Sequence, residues 1–237
     1  TSGSTYTLHV AQLDANNNPS ATVSSTFTTA ASFATLDPAN KSSGITLTNG
    51  NLTATGSTAF GAVRSTKSMT TGKFYWEETI NLNADVNTAA LVDSTVSMSP
   101  TGYWEANNST HYATWFGTEL RYNSTAVTIR NIGGTVGFAY DATNHKLYVR
   151  DSTGWMTGMD PVAGTGGLDV TGIGSTLYAG WQGDSSDKAT FNFGATSYTY
   201  TPPAGYGNMM LPLFVAFRRR KRKAANDNES SAASIAA

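Results

Sequence analysis

The chain has 237 residues, enough for one sandwich-sized domain with short appendages, and is 39% hydrophobic with only 13% charged residues. It contains no cysteine, which excludes disulfides, thiolate metal sites and thiol nucleophiles. The formal net charge is −1, but six basic residues form one block, Arg218–Lys223. Without that block and the nearby Asp227 and Glu229, the remaining 9 basic and 14 acidic residues give the body −5, a poor match to nucleic acid.

Polarity comes instead from Thr, Ser, Asn and Gly, which suit exposed strand faces and turns and disfavour helix interiors. Residues 1–30 read as two strands and a turn. Tyr6, Leu8 and Val10 alternate with Thr5, Thr7 and His9, the period of a half-buried strand. Asp14–Pro19 is turn chemistry, and Val23–Thr29 a second strand. Asp14, Asn16 and Asn18 also match the start of a calcium loop. Pro19 stands where that loop needs Gly, so a plain turn is the better reading.

The main domain is placed at 31–210. Ile45–Leu47 and Leu52–Ala54 flank Asn49-Gly50, whose tolerance of positive φ predicts a hairpin with a type I′ turn. Lys73–Leu82 is the clearest strand: Phe74, Trp76, Ile80 and Leu82 fall on one face, Tyr75, Glu77, Thr79 and Asn81 on the other. Glu78 lands on the apolar face, a local conflict that calls for an exposed strand end or a buried partner. Residues 91–125 are less regular. Val136–Tyr140 and Lys146–Arg150 form a second hairpin, and Leu177–Gln182 and Ala189–Phe193 are expected to pair as a third. Trp76, Phe138, Trp181, Phe191 and Phe193 are expected in the core. No segment sustains a 3.6-residue period, so the fold class is all-β, a two-sheet antiparallel sandwich. Residues 211–237 read as a basic, disordered tail, and no apolar run has transmembrane length. A chain that starts at Thr1 is expected to be a fragment or a processed product.

Several stretches resemble SPRY domains, whose fold is related to concanavalin A-like jelly rolls. They are Leu36–Lys41 with Ile45–Leu52, Gly72–Glu77, Val136–Asp141 continued by Lys146–Val149, and the closing group Leu177–Ala179, Ala189–Gly194 and Tyr200–Tyr206. The resemblance spans about residues 33–206, with Glu78 standing where the family usually has an apolar residue. It implies a phage or bacterial member that binds partners through loops and is not an enzyme, set in a tail fibre or other virion protein in contact with a host. Residues 1–30 similarly resemble the closing hairpin of a fibronectin-type-III-like domain. Fold analogy alone does not fix function.

Reactive constellations are scarce. Glu77 and Glu78 are adjacent on a strand and point to opposite faces, so they cannot work as a glycosidase pair. His9, His111 and His145 are scattered, and no Gly-x-Ser-x-Gly elbow exists. No cofactor is implied. Asp184 and Asp187 bracket a loop and are weak candidates for a calcium site. Tyr103, Trp104, Glu105, His111 and Tyr112 lie among Asn, Ser and Thr, and Trp155 sits in a Gly-flanked turn. Rigid aromatics among adaptable polar groups are the chemistry of binding loops, and these six are the candidate ligand residues.

The expected partner is a host cell-surface glycan or protein, with other virion or fibre subunits and a homo-oligomer as further partners. Nucleic acid is conceivable only through Arg218–Lys223. The expected location is a virion or the extracellular space. The alternatives are a structural decoration domain of a virion and a glycan-acting enzyme.

Overall fold

A computed structural model describes residues 5–28, 32–57, 60–82, 87–104, 111–116, 119–122, 125–128, 134–211 and 231–236. The first strands are β1 (Thr5–Gln12), β2 (Val23–Thr28), β3 (Leu36–Lys41), β4 (Ile45–Thr48), β5 (Thr53–Gly56) and β6 (Gly61–Met69). They are followed by β7 (Lys73–Leu82), β8 (Asn87–Asp93), β9 (Tyr112–Phe116), β10 (Glu119–Tyr122), β11 (Thr125–Thr128) and β12 (Thr135–Asp141). The last six are β13 (Lys146–Asp151), β14 (Gly154–Trp155), β15 (Leu168–Asp169), β16 (Leu177–Gly183), β17 (Lys188–Asn192) and β18 (Ser231–Ala236). There is no helix among the described residues, and so none long and apolar enough to cross a membrane.

The chain divides into two compact units, residues 1–32 with 212–237 and residues 33–211. The smaller unit is a three-stranded sheet ordered β18-β1-β2, with Leu8 opposite both Ile235 and Ser25. The expected first hairpin is therefore present. Its turn is fixed by Asp14, whose Oδ1 accepts the backbone N–H groups of Asn16 (2.8 Å) and Asn18 (2.9 Å), so this carboxylate closes the turn. The end of the chain departs from the expected disorder: Ser231–Ala236, small and uncharged, forms a strand against β1. The basic run Arg218–Lys223 lies outside the described residues.

The larger unit is a two-sheet antiparallel sandwich. One sheet runs β11-β10-β9-β8-β16-β6-β3 and the other β14-β13-β12-β7-β17-β5-β4, with β15 added on β13. Alternation sets the faces. In β7, Trp76 turns inward and its ring stacks on Phe138 of β12, with centroids 5.3 Å apart. From the opposite sheet, Val63, Leu91, Leu177, Ala179 and Trp181 complete the core. All five aromatics expected in the core are buried. The outer face of the second sheet carries a ladder of threonines: Thr53 meets Thr190 at 2.9 Å and Thr79 meets Thr135 at 2.8 Å.

Two local expectations need correction. The Asn49-Gly50 hairpin joins β4 to β5 as foreseen, but through four residues: Thr48 pairs with Thr53, and Asn49, Gly50 and Asn51 all have positive φ. The supposed third hairpin does not exist. β16 pairs with β6 and β8, β17 pairs with β5 and β7, and residues 184–187 carry the chain from one sheet to the other. A tight crossing and a hairpin turn need the same residues, so composition alone cannot separate them. The region 91–125, read as irregular, holds the end of β8, all of β9 and β10 and the first residue of β11, which extend the first sheet toward its β11 edge.

Candidate functional site

The first sheet has a second layer on its outer face. Outward positions on its central strands are Ala62, Arg64, Val92, Tyr178, Gly180 and Gln182, as the cross-strand pairing requires. Residues 94–104 run over this face as a strap. At its start Asp93 acts as a cap. Its Oδ1 accepts the backbone N–H groups of Thr95 (2.7 Å) and Val96 (3.0 Å) and the Thr95 hydroxyl (2.9 Å). His111 Nδ1 lies 2.7 Å from Asp93 Oδ2. An ionised carboxylate can only accept, so Nδ1 is the donor. Burial opposes the charged form of Asp93, but the bonds from His111 and Thr95 outweigh it and hold the carboxyl below its usual range.

At its far end the strap is locked by Gln182. Its Oε1 accepts the Trp104 N–H at 2.6 Å, and its Nε2 donates to the Gly102 carbonyl at 2.9 Å. The Trp104 ring, 2% exposed, packs over the bare backbone of Gly180 and beside Ala62 and Val92. A Cβ on Gly180 would lie 3.0 Å from Val92 and 3.5 Å from Trp104, so the absence of a side chain there makes room for the indole. Tyr112 stacks on Trp104 with centroids 5.9 Å apart. Between the strap and Tyr112 lies an open groove of about 510 Å³, walled by Val96, Ser97, residues 99–104 and Tyr112. None of these wall residues is charged. Tyr103, 37% exposed, stands at the groove with its ring set edge-on against Phe60, centroids 4.7 Å apart.

The sequence-derived candidates thus separate. Tyr103, Trp104 and Tyr112 are brought together around one groove, whereas His111 is not among its walls and bonds Asp93 at the start of the strap. Trp104 was expected to offer its ring to a ligand; instead that ring fills a small second core and forms wall. Glu105 lies outside the described residues. Trp155 belongs to the other sheet, where it pairs with Arg150 across β13 and β14 and packs on the main core. Reading loops by composition missed Asp93 and Gln182, because both sit at strand positions and act through backbone groups of the strap.

The carboxylates are employed elsewhere. Glu77 points outward and is saturated: Oε1 accepts Tyr75 OH (3.0 Å) and Tyr200 N–H (2.7 Å), and Oε2 accepts Thr199 N–H (2.7 Å). Glu78 points inward, is fully buried, and neither carboxyl oxygen has a hydrogen-bond partner among the described residues. Burial alone pushes its carboxyl up to about 8, so it is neutral at physiological pH. Neither of the two resolutions considered for Glu78, an exposed end or a buried partner, is what the structure adopts. Asp187 is buried and its Oδ2 accepts the Asp184 N–H at 2.8 Å, which makes it a brace for the crossing loop. No group of three or more His, Asp or Glu residues positioned to hold a metal ion occurs among the described residues.

No protein-family model matches the sequence, and no curated protein is similar to it. Solved structures do match. The SPRY domain of human HERC1 superposes with a TM-score of 0.52 at 13% identity, over 68% of this chain and 99% of that one. The two-sheet unit has the SPRY fold. The PSpry domain of TRIM65 superposes on it with a TM-score of 0.53 at 13% identity, over 68% of this chain and 89% of its own. Stonustoxin superposes at 0.52 and 16% identity, over 68% of this chain and 27% of the toxin chain. At such identities the likeness is one of fold, and the SPRY-type framework leaves the ligand to be argued from the groove.

Proposed function

We propose that this chain is a non-catalytic binding module, of the phage or bacterial type, carried on a virion fibre or a comparable extracellular surface. It grips a host-surface glycan or protein through the groove beside residues 94–104. The observation that carries the reading is Tyr103: an exposed aromatic ring, held edge-on by Phe60, at an uncharged groove whose wall is locked to the sheet by Gln182. A rigid ring loses little freedom on binding, which is what makes aromatic anchors effective. Reactive geometry is set aside because Glu77 is saturated by internal donors and Glu78 faces the core. The β1–β2 hairpin is, in the same reading, the end of a fibronectin-type-III-like module.

The test is capture of intact candidate host cells by the purified chain, with Tyr103→Ala and Tyr112→Ala as site variants. Both are expected to abolish capture while leaving the thermal midpoint within a few degrees of the parent. Capture that survives both substitutions removes the groove from the mechanism. Binding to purified virions but never to cells replaces this reading with a decoration role.

A further inference from the structure

A second feature lies on the other sheet. Arg150 leaves the outer face of β13, and its stem passes over Gly137: a Cβ built there would lie 2.9 Å from Arg150 Cγ. Its guanidinium then sits over two aromatic rings, 4.4 Å from the Tyr200 centroid and 5.5 Å from that of Trp155. Both rings are fixed. Trp155 is the cross-strand partner of Arg150, and Tyr200 is tied down by its N–H to Glu77 and by its OH to the Thr135 carbonyl at 2.8 Å. Among the described residues this arginine has no carboxylate partner and donates no hydrogen bond. Its Nε is buried and unmatched.

A buried or half-buried guanidinium normally pairs with an acid or with carbonyl groups, because unmatched donors are costly. Rings cover its faces and immobilise it, but its N–H groups lie in its own plane, where aromatic packing does not satisfy them; with Nε buried, the terminal nitrogens are the edge left to a ligand. A planar, pre-positioned donor edge matches a carboxylate, which can accept two parallel N–H bonds. The half-buried Trp155 beside it adds a flat apolar surface. The body as a whole carries −5, which disfavours a dense polyanion such as nucleic acid or a run of acidic residues.

We propose that Arg150, with Trp155 and Tyr200, forms a subsite for a sugar acid: one carboxylate on an otherwise neutral, hydroxylated ring. The carboxylate takes the guanidinium edge and the ring's C–H groups lie along the part of the indole left exposed beside the guanidinium. This subsite is independent of the groove at Tyr103 and stands whether or not that groove binds anything.

The whole chain is titrated with glucuronic acid, galacturonic acid and N-acetylneuraminic acid, with glucose as the neutral control and a hexaglutamate peptide as the non-sugar carboxylate. Tryptophan fluorescence and saturation-transfer NMR report binding. Saturable binding of at least one sugar acid and none of glucose is expected. Arg150→Lys should weaken it by about tenfold, because a point charge replaces a two-pronged donor, and Arg150→Gln should abolish it. Near-UV circular dichroism verifies that each variant keeps the parent fold. The proposal is overturned if no sugar acid saturates, if Arg150→Gln binds as the parent does, or if hexaglutamate binds as tightly as the sugar acids.

Discussion

Trp104 and Gln182 are joined through the backbone of one and the side chain of the other: Trp104 N–H donates to Gln182 Oε1 at 2.6 Å, and the same amide group returns a bond to Gly102. One side chain, rising from the penultimate residue of β16, thus holds the strap at two backbone atoms 78 and 80 residues away in sequence. Gln182 is fully buried, so removing it strands a donor and an acceptor that water reaches only if the strap lifts. Gln182→Leu should therefore cost about 2 kcal/mol and loosen residues 94–104 more than the rest. Hydrogen exchange followed by mass spectrometry checks it: the strap amides should lose protection while those of β7 and β12 keep theirs. Uniform loss across the sandwich would show that the bond is not local.

Neighbouring aromatics on the strap should behave oppositely. Trp104 is 2% exposed and Tyr103 37% exposed, although they are consecutive. Trp104→Ala empties a packed site over Gly180 and should lower stability by about 3–5 kcal/mol, as large aromatic truncations in cores do. Tyr103→Ala should cost less, about 1 kcal/mol, since its side chain is part-exposed and its edge-on contact with Phe60 is a modest one. Urea unfolding of both variants tests the contrast. Equal losses would mean that Tyr103 is structural and unsuited to be a ligand anchor.

The difference between those two residues also marks where sequence reasoning stops. Lys73–Leu82 was legible because ten residues keep a period of two, so each side chain's face follows from its neighbour's. The strap has no period. Alternation says that Tyr103 and Trp104 diverge, but nothing local says which one meets Gly180. Partner choice is hidden for a related reason. The residues of β16 and β17 look like one hairpin, yet each is inward-facing in its own sheet, and alternation is the same in either arrangement. Arg150 was read as part of a strand, which it is, but its two aromatic neighbours come from the short strand β14, read as a turn, and from a segment 50 residues later. Only the folded chain brings Tyr200 to it.

Gly137 offers a test of the outer network on the second sheet. A Cβ at this position would lie 2.3 Å from the Tyr75 hydroxyl oxygen and 2.9 Å from Arg150 Cγ. Tyr75 is fully buried and its hydroxyl bonds Glu77, so the ring has no free direction in which to yield. Gly137→Ala should therefore break the Tyr75–Glu77 bond and push Arg150 off its rings, at a cost of about 2–3 kcal/mol. Burial raises the Tyr75 phenol well above its ordinary value, with Glu77 adding to the effect. Releasing the ring should bring one tyrosine back toward ordinary titration, visible in an ultraviolet pH titration. A variant as stable as the parent, with an unchanged tyrosine titration, would refute the crowding argument.

Glu78 makes stability depend on pH in a direction fixed by its burial. The folded carboxyl holds its proton up to about 8, against an ordinary value of 4.5, and desolvation is the cause. Below pH 4.5 both folded and unfolded chains carry the proton, and this residue contributes no slope. Between 4.5 and about 8 the folded chain holds the extra proton, so stability falls as pH rises, by about 3 kcal/mol at pH 7; above about 8 both forms are ionised and the slope vanishes. Glu78→Gln cannot ionise and should lose that slope, its advantage over the parent growing from pH 5 to pH 8. Glu78→Leu should show the same pH trend and a further constant gain, since it meets Val136 and Phe191 with an apolar surface instead of an unpaired carboxyl. Urea midpoints at pH 5, 7 and 9 for the three proteins decide the matter. Parallel pH profiles would mean that water or an unseen donor reaches Glu78 and that the sandwich interior is wetter than its packing indicates.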